Sequence, residues 1–135
     1  MSEKIVKPRN FRLLEELDSA EKAEGGNNGI SYGLDDQSDT AMINWNATII
    51  GPDGSNYAGG FYQLEISVPG NYPERPPFFK FVNNDMTSPL PRLSFIDQKT
   101  GNVIPENMSV LKNWTSDYNI GVVLNEIRNA MGKSI

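Results

Sequence analysis

Two runs of alternating side chains set the frame. From Ala41 to Ile50 the apolar Ile43, Trp45, Ala47 and Ile49 alternate with Asn44, Asn46 and Thr48. From Phe61 to Val68, Tyr62, Leu64, Ile66 and Val68 alternate with Gln63, Glu65 and Ser67. A period of two puts each apolar set on one side of a pleated strand, so both runs predict strands with one buried face and one wetted face. Shorter runs at Ile30–Leu34 and Phe78–Val82 predict two more. The connections are too short for crossover helices, so the four strands must form an antiparallel meander covered on one face.

Helices flank that sheet. Phe11, Leu14 and Leu17 recur at i, i+3 and i+6, with Leu13 and Ala20 beside them and Glu15, Glu16, Asp18 and Glu21 opposite. This predicts an amphipathic helix from Pro8 to about Glu24, with proline near its first turn and the glycine- and asparagine-rich segment 25–29 as its exit. Ile120, Val123, Leu124, Ile127, Ala130 and Met131 predict a second helix, capped by Asn119 or Asp117 and ended by Gly132. Between Asn83 and Trp114 the pattern lapses, and Pro89, Pro91 and Pro105 interrupt it. A loop of that length inside a small domain is usually functional. The order helix, four strands, long loop, helix defines an α+β fold, and 135 residues suit one domain over 1–135.

Composition matters chiefly through two zeros, since the chain has no cysteine and no histidine. Absent cysteine removes the thiolate nucleophile, the disulfide and the sulfur ligand for metals. Absent histidine removes the imidazole base and the imidazole metal ligand. Twelve Lys and Arg against seventeen Asp and Glu give a net charge of -5, with no basic patch to meet nucleic acid. No apolar run approaches the roughly 18 residues of a membrane span, and the start lacks the apolar core of a signal peptide. A binding protein of the cytoplasm or nucleus is expected, with neither nucleic acid nor membrane as partner.

Local patterns that suggest cofactor chemistry resolve into turns. Asp35-Asp36-Gln37-Ser38-Asp39 has the carboxylate density of a magnesium site, but it lies between two strands and is built from ordinary turn formers. Gly132-Lys133-Ser134 resembles the end of a phosphate-binding loop, yet the upstream glycine that loop requires falls at Ile127, within a helix. Gly51-Pro52-Asp53-Gly54 and Gly59-Gly60 bracket a strand connection. No metal site and no cofactor are expected.

The composite from Gly51 to Pro77 is far more specific. Gly51-Pro52-Asp53-Gly54, then Tyr57-Ala58-Gly59-Gly60, leads into a strand and on to Tyr72-Pro73-Glu74-Arg75-Pro76-Pro77. With Trp114-Thr115-Ser116 and the helix after it, this pattern resembles the ubiquitin-conjugating enzyme family over nearly the whole chain. The family's catalytic cysteine corresponds to Ile104 within Gly101-Asn102-Val103-Ile104-Pro105-Glu106, and its His-Pro-Asn triplet has no counterpart in Met86-Thr87-Ser88-Pro89-Leu90. An aliphatic side chain forms no thioester, so there is no catalytic residue here. The chain also stops where active members usually continue with two more helices.

These departures resemble the inert variant branch, above all the subfamily that pairs with an active ubiquitin-conjugating enzyme to build lysine-sixty-three-linked chains. Val6-Lys7-Pro8-Arg9-Asn10-Phe11 and Ser31-Tyr32-Gly33-Leu34 carry that closer likeness. The resemblance implies a heterodimer contact through Pro8, Asn10, Phe11 and Leu14, with Phe11 filling a pocket on the partner. Periodicity alone places Phe11 in this domain's own core. The resemblance further implies that an acceptor ubiquitin rests on Ser31, Asn46 and Phe61, where the subfamily more often has threonine and isoleucine at the last two positions. Strand parity agrees, since Phe61 shares the outward phase of Gln63 and Glu65. A RING-type ligase reached through the complex, and a role in DNA damage tolerance, belong to the same implication. The alternative is an inert ubiquitin- or peptide-binding domain of the endosomal-sorting type, which has no need of the Asn10-Phe11 segment. The proline pattern also predicts a cis bond at Tyr72-Pro73.

Overall fold

Trp45, Ala47 and Ile49 are buried along strand β2 (Asn44–Ile50), while Asn44 and Asn46 face solvent. The computed structural model describes residues 9–22, 29–36, 38–82 and 89–133. In β3 (Phe61–Ser67) the buried set is Tyr62, Leu64 and Ile66, again in the expected phase. With β1 (Ile30–Leu34) and β4 (Phe78–Val82) these make a four-stranded antiparallel sheet in the order β1-β2-β3-β4. The meander is as the alternation requires.

Two strand boundaries differ: β3 ends at Ser67, one residue short of Val68, and β2 starts late. Strand β2 begins at Asn44, not Ala41, because residues 39–42 close a turn with Met42 at φ 52°. Asp39 Oδ2 accepts the N–H groups of Ile43 at 3.0 Å and Asn44 at 2.9 Å, which ends the ladder there. Ile43, expected to point inward, is left exposed at the sheet's end. At the other end of β2, Gly51 donates to the Gly60 carbonyl at 2.9 Å, and a Cβ on Gly51 would overlap the Tyr57 carbonyl oxygen. That close backbone approach is why glycine opens the turn.

Helix α3 (Ile120–Gly132) buries Ile120, Val123, Leu124, Ile127 and Met131 in one core with Trp45, Ile49 and Leu64. Asn119 caps it, its side-chain oxygen accepting from Val122 N–H at 2.9 Å, a contact worth about 1 kcal/mol. Helix α1 (Arg9–Lys22) packs against β1 and α3. Its inward residues are Leu13, Glu16, Leu17 and Ala20, the i, i+3, i+4, i+7 stripe. Phe11 and Leu14 are not among them, which corrects the core reading of the helix. Glu16, expected on the wetted face, is only 7% exposed.

Of the stretch expected to be a structureless loop, the described residues 89–114 pack against the core. They include a 3-10 turn, Pro105–Asn107, and a short helix α2, Ser109–Lys112, so the last helix is the third. Phe95, Ile96, Val103, Met108 and Leu111 are buried in the common core. Along the outer margin of β4, Phe81 N–H donates to the Gly101 carbonyl at 2.8 Å and Val103 N–H to the Phe79 carbonyl at 2.9 Å. Gly101 sits at φ +83°, and a Cβ there would overlap the Phe81 carbonyl oxygen. The Tyr72-Pro73 bond is cis, as expected.

Candidate functional site

The first two turns of α1 carry two large apolar side chains in solvent. Phe11 is 60% exposed and Leu14 is 55% exposed, with Asn10 exposed beside them. Pro8, the fourth residue assigned to this face, lies outside the described residues. A phenylalanine and a leucine three residues apart share one side of a helix, so they form a single apolar patch. This patch is the candidate interaction surface of the helix.

This segment is held in place from both ends. Arg9 donates to the carbonyls of Ala41 at 2.5 Å, Pro69 at 2.9 Å and Val68 at 3.2 Å, and to Asn10 Oδ1 at 2.7 Å. Burial lowers the Arg9 pKa from its ordinary value, with Asp39 opposing the shift. One turn further on, Glu16 Oε2 accepts from the Tyr72 hydroxyl at 2.5 Å and Oε1 accepts from Ile120 N–H at 3.0 Å. Arg12 lies 3.6 Å from the same carboxylate, donates to the Tyr118 carbonyl, and places its guanidinium 5.7 Å from the centre of the Tyr72 ring. Desolvation raises the Glu16 pKa, and the hydrogen bonds and Arg12 only partly counter it. Burial and the Glu16 charge together push the Tyr72 phenol well up. Arg9 and Glu16 were missed by periodicity, because their partners are distant in sequence.

The second group lies on the outer face of the sheet. Ser31 is opposite Thr48, Gly33 opposite Asn46, and Ile50 opposite Phe61, so Ser31, Asn46 and Phe61 share one side. Ser31 and Asn46 are exposed, and Phe61 is 38% exposed. The assigned residues are therefore brought together. Ile50, at 41% exposure, adds a neighbour that strand parity alone identifies, since Ile49 is buried. Asn46 is oriented by donating to Asp35 Oδ1 at 3.0 Å. The same face ends in Phe78, also found by parity, which borders a cleft of about 610 Å³ lined by Asn44, Glu65, Ser67, Lys80 and Pro105.

Ile104 is partly buried, its N–H donating to the Phe95 carbonyl at 2.6 Å just before the 3-10 turn. Residues 83–88, which include Met86-Thr87-Ser88, lie outside the described residues. In the acidic run, of which Gln37 lies outside the described residues, the carboxylates of Asp36 and Asp39 bond locally. Asp36 Oδ1 accepts from the Ser38 N–H at 2.9 Å and hydroxyl at 2.8 Å, which lowers the Asp36 pKa. Asp39 serves Ile43 and Asn44. No helix among the described residues is long and apolar enough to cross a membrane.

A meander flanked by helices, a Tyr-Pro turn and a tryptophan ahead of α3 define the architecture of ubiquitin-conjugating enzymes. The chain belongs to that family, whose description "Ubiquitin-conjugating enzyme" matches residues 12–134. It is similar to Ubiquitin-conjugating enzyme E2 variant 1D of Arabidopsis thaliana, with 37% identity over 130 residues, covering 96% of this chain and 84% of that protein. Similarity to the Ubiquitin-conjugating enzyme variant MMS2 of Saccharomyces cerevisiae is 38% over 124 residues, 92% of this chain and 85% of that one. The solved structure of human Ubiquitin-conjugating enzyme E2 G1 superposes with a TM-score of 0.76 at 25% identity, over 96% of this chain and 99% of that chain. Its likeness to proteins named as variants sets this chain in the variant branch.

Proposed function

We propose that this protein is the non-catalytic half of a heterodimer with an active ubiquitin-conjugating enzyme, and that it orients an acceptor ubiquitin for lysine-sixty-three-linked chain synthesis. The observation that carries the reading is the exposure of Phe11 and Leu14 on a helix whose core face is complete without them. A rigid aromatic anchor entering a partner's pocket often supplies about 2 to 4 kcal/mol. The absence of cysteine from the chain leaves bond-making to the partner's thiol.

The outer sheet face then serves as the acceptor's seat, with Ser31 and Asn46 supplying hydrogen bonds and Phe61 apolar area. Holding the acceptor beside the partner's thioester raises its effective concentration to the order of mM. Orientation selects the one lysine able to reach the thioester in line. Linkage choice becomes a matter of distance, and no acid, base or metal is required of this chain. A RING-type ligase joins through the complex, and the work is done in cytoplasm and nucleus.

The test is chain synthesis from purified components. Adding this protein to an active conjugating enzyme, activating enzyme, ubiquitin and ATP is expected to accelerate lysine-sixty-three-linked chains. Equal rate and equal linkage in its absence would refute the reading.

A further inference from the structure

Arg9 makes an unusual set of contacts for a residue at a helix start. Its guanidinium reaches the carbonyls of Ala41, Val68 and Pro69, which lie in two different connections, the one entering β2 and the one leaving β3. It also holds the side chain of Asn10. Helix ends ordinarily fray, because their terminal backbone groups lack partners within the helix. Here the first residue of α1 is tied to the end of the sheet by a planar fork of donors, which a lysine's single ammonium cannot reproduce.

We infer that Arg9 is the positioning residue of the partner face: by pinning the first turn of α1 to the sheet connections, it presents Phe11 and Leu14 in one orientation before the partner arrives. This rests on the heterodimer reading above. Arg12, Leu13 and Glu16 anchor the helix on the body from the C-terminal side of Phe11, but Phe11 is itself exposed, so its own packing does not fix it and its N-terminal side needs a separate tie. The Arg9 fork supplies that constraint. A side chain ordered in advance loses less conformational freedom on binding, and affinity rises accordingly.

The experiment is a double-mutant cycle of Arg9→Met and Phe11→Ala, read by calorimetry against a purified active ubiquitin-conjugating enzyme. Amide hydrogen exchange is followed in the free proteins alongside it. Methionine keeps the apolar stem and removes the fork. Arg9→Met is expected to weaken binding about tenfold. Amides of Leu13, Leu14 and Glu15 should exchange about tenfold faster, with β3 and α3 unchanged. Phe11→Ala should cost less in the Arg9→Met background than in the wild type, because a wandering anchor contributes less. Arg9→Lys is expected to fall between. Unchanged exchange in α1, or an additive cycle, would overturn the inference. If wild-type protein binds no active conjugating enzyme while Arg9→Met still loosens α1, the heterodimer reading fails and Arg9 stands as the clamp of the helix.

Discussion

The hydroxyl of Tyr72 donates a 2.5 Å hydrogen bond to Oε2 of Glu16, joining residues 56 positions apart in the chain. The same carboxylate accepts Ile120 N–H, so one buried side chain fastens α1, the cis-proline turn and the start of α3. Removing the phenol leaves a charged acceptor short of one partner, which typically costs about 1.5 to 3 kcal/mol. Tyr72→Phe should lower the unfolding free energy by that amount, read as a lower urea midpoint with the slope of the transition unchanged. The raised Tyr72 pKa adds a pH signature. An unfolded phenol ionises near 10 and the folded one higher, so this contribution is complete below pH 10 and is lost as pH rises through the folded value. Tyr72→Phe should show a shallower alkaline fall in stability than the wild type.

Glu16 makes a demand of the same sign at lower pH. Its folded pKa is raised above the ordinary 4.5. The folded state therefore holds the proton more tightly, and the contribution to stability is complete below pH 4.5 and declines as pH climbs through the folded value. Glu16→Gln keeps an oxygen for Ile120 N–H and removes the ionisation. Its stability, followed by urea unfolding, is expected to vary less than the wild type's as pH rises above 4.5. Parallel profiles for the two proteins would contradict the burial-driven shift.

The two surfaces are separable by kinetics. Phe11→Ala should weaken heterodimer formation by about 2 to 4 kcal/mol while changing folding stability by less than about 0.5 kcal/mol, as for an exposed side chain. Phe61→Ala should leave heterodimer affinity unchanged and raise the acceptor concentration for half-maximal chain synthesis several-fold. Calorimetry reads the first effect and initial rates the second. A loss of heterodimer affinity in Phe61→Ala would argue against two distinct faces.

Gly51→Ala is expected to destabilise the fold by about 1 to 3 kcal/mol, the usual range when atoms are forced into filled space. The new methyl would meet the Tyr57 carbonyl, a backbone atom that cannot rotate away. Gly54→Ala makes a useful comparison, since its site is open and only its φ of +78° opposes a side chain. Thermal unfolding of the two variants should rank Gly51→Ala as the less stable.

Strand alternation was legible because the pleat enforces it: β1 and β4 have the bounds that their apolar runs predict, and the outward phase of Asn46 and Phe61 follows from parity. The face of α1 was not. Phe11, Leu14 and Leu17 form one helical stripe and Leu13, Leu17 and Ala20 another, and apolar spacing does not distinguish a stripe that meets its own core from one that meets another protein. Glu16 was misplaced for a related reason, since charge predicts solvent unless a partner is known and Tyr72 arrives from a remote turn. The 3-10 turn and α2 are too short to leave a periodic trace, and their place is set by Phe95, Met108 and Leu111 packing into the core. For Phe11 only the resemblance gave a reading that kept the ring out of this domain's core, and the ring is 60% exposed.

The backbone of residues 101–103 laid along β4 has a further effect. A strand at the border of a sheet normally offers its amides and carbonyls to any extended chain that drifts past. Here the Phe79 carbonyl and the Phe81 amide are already taken by Val103 and Gly101. Growth of the sheet by a second copy is discouraged along that border, and recognition there is left to side-chain shape and charge, which can discriminate between visitors where a row of peptide groups cannot.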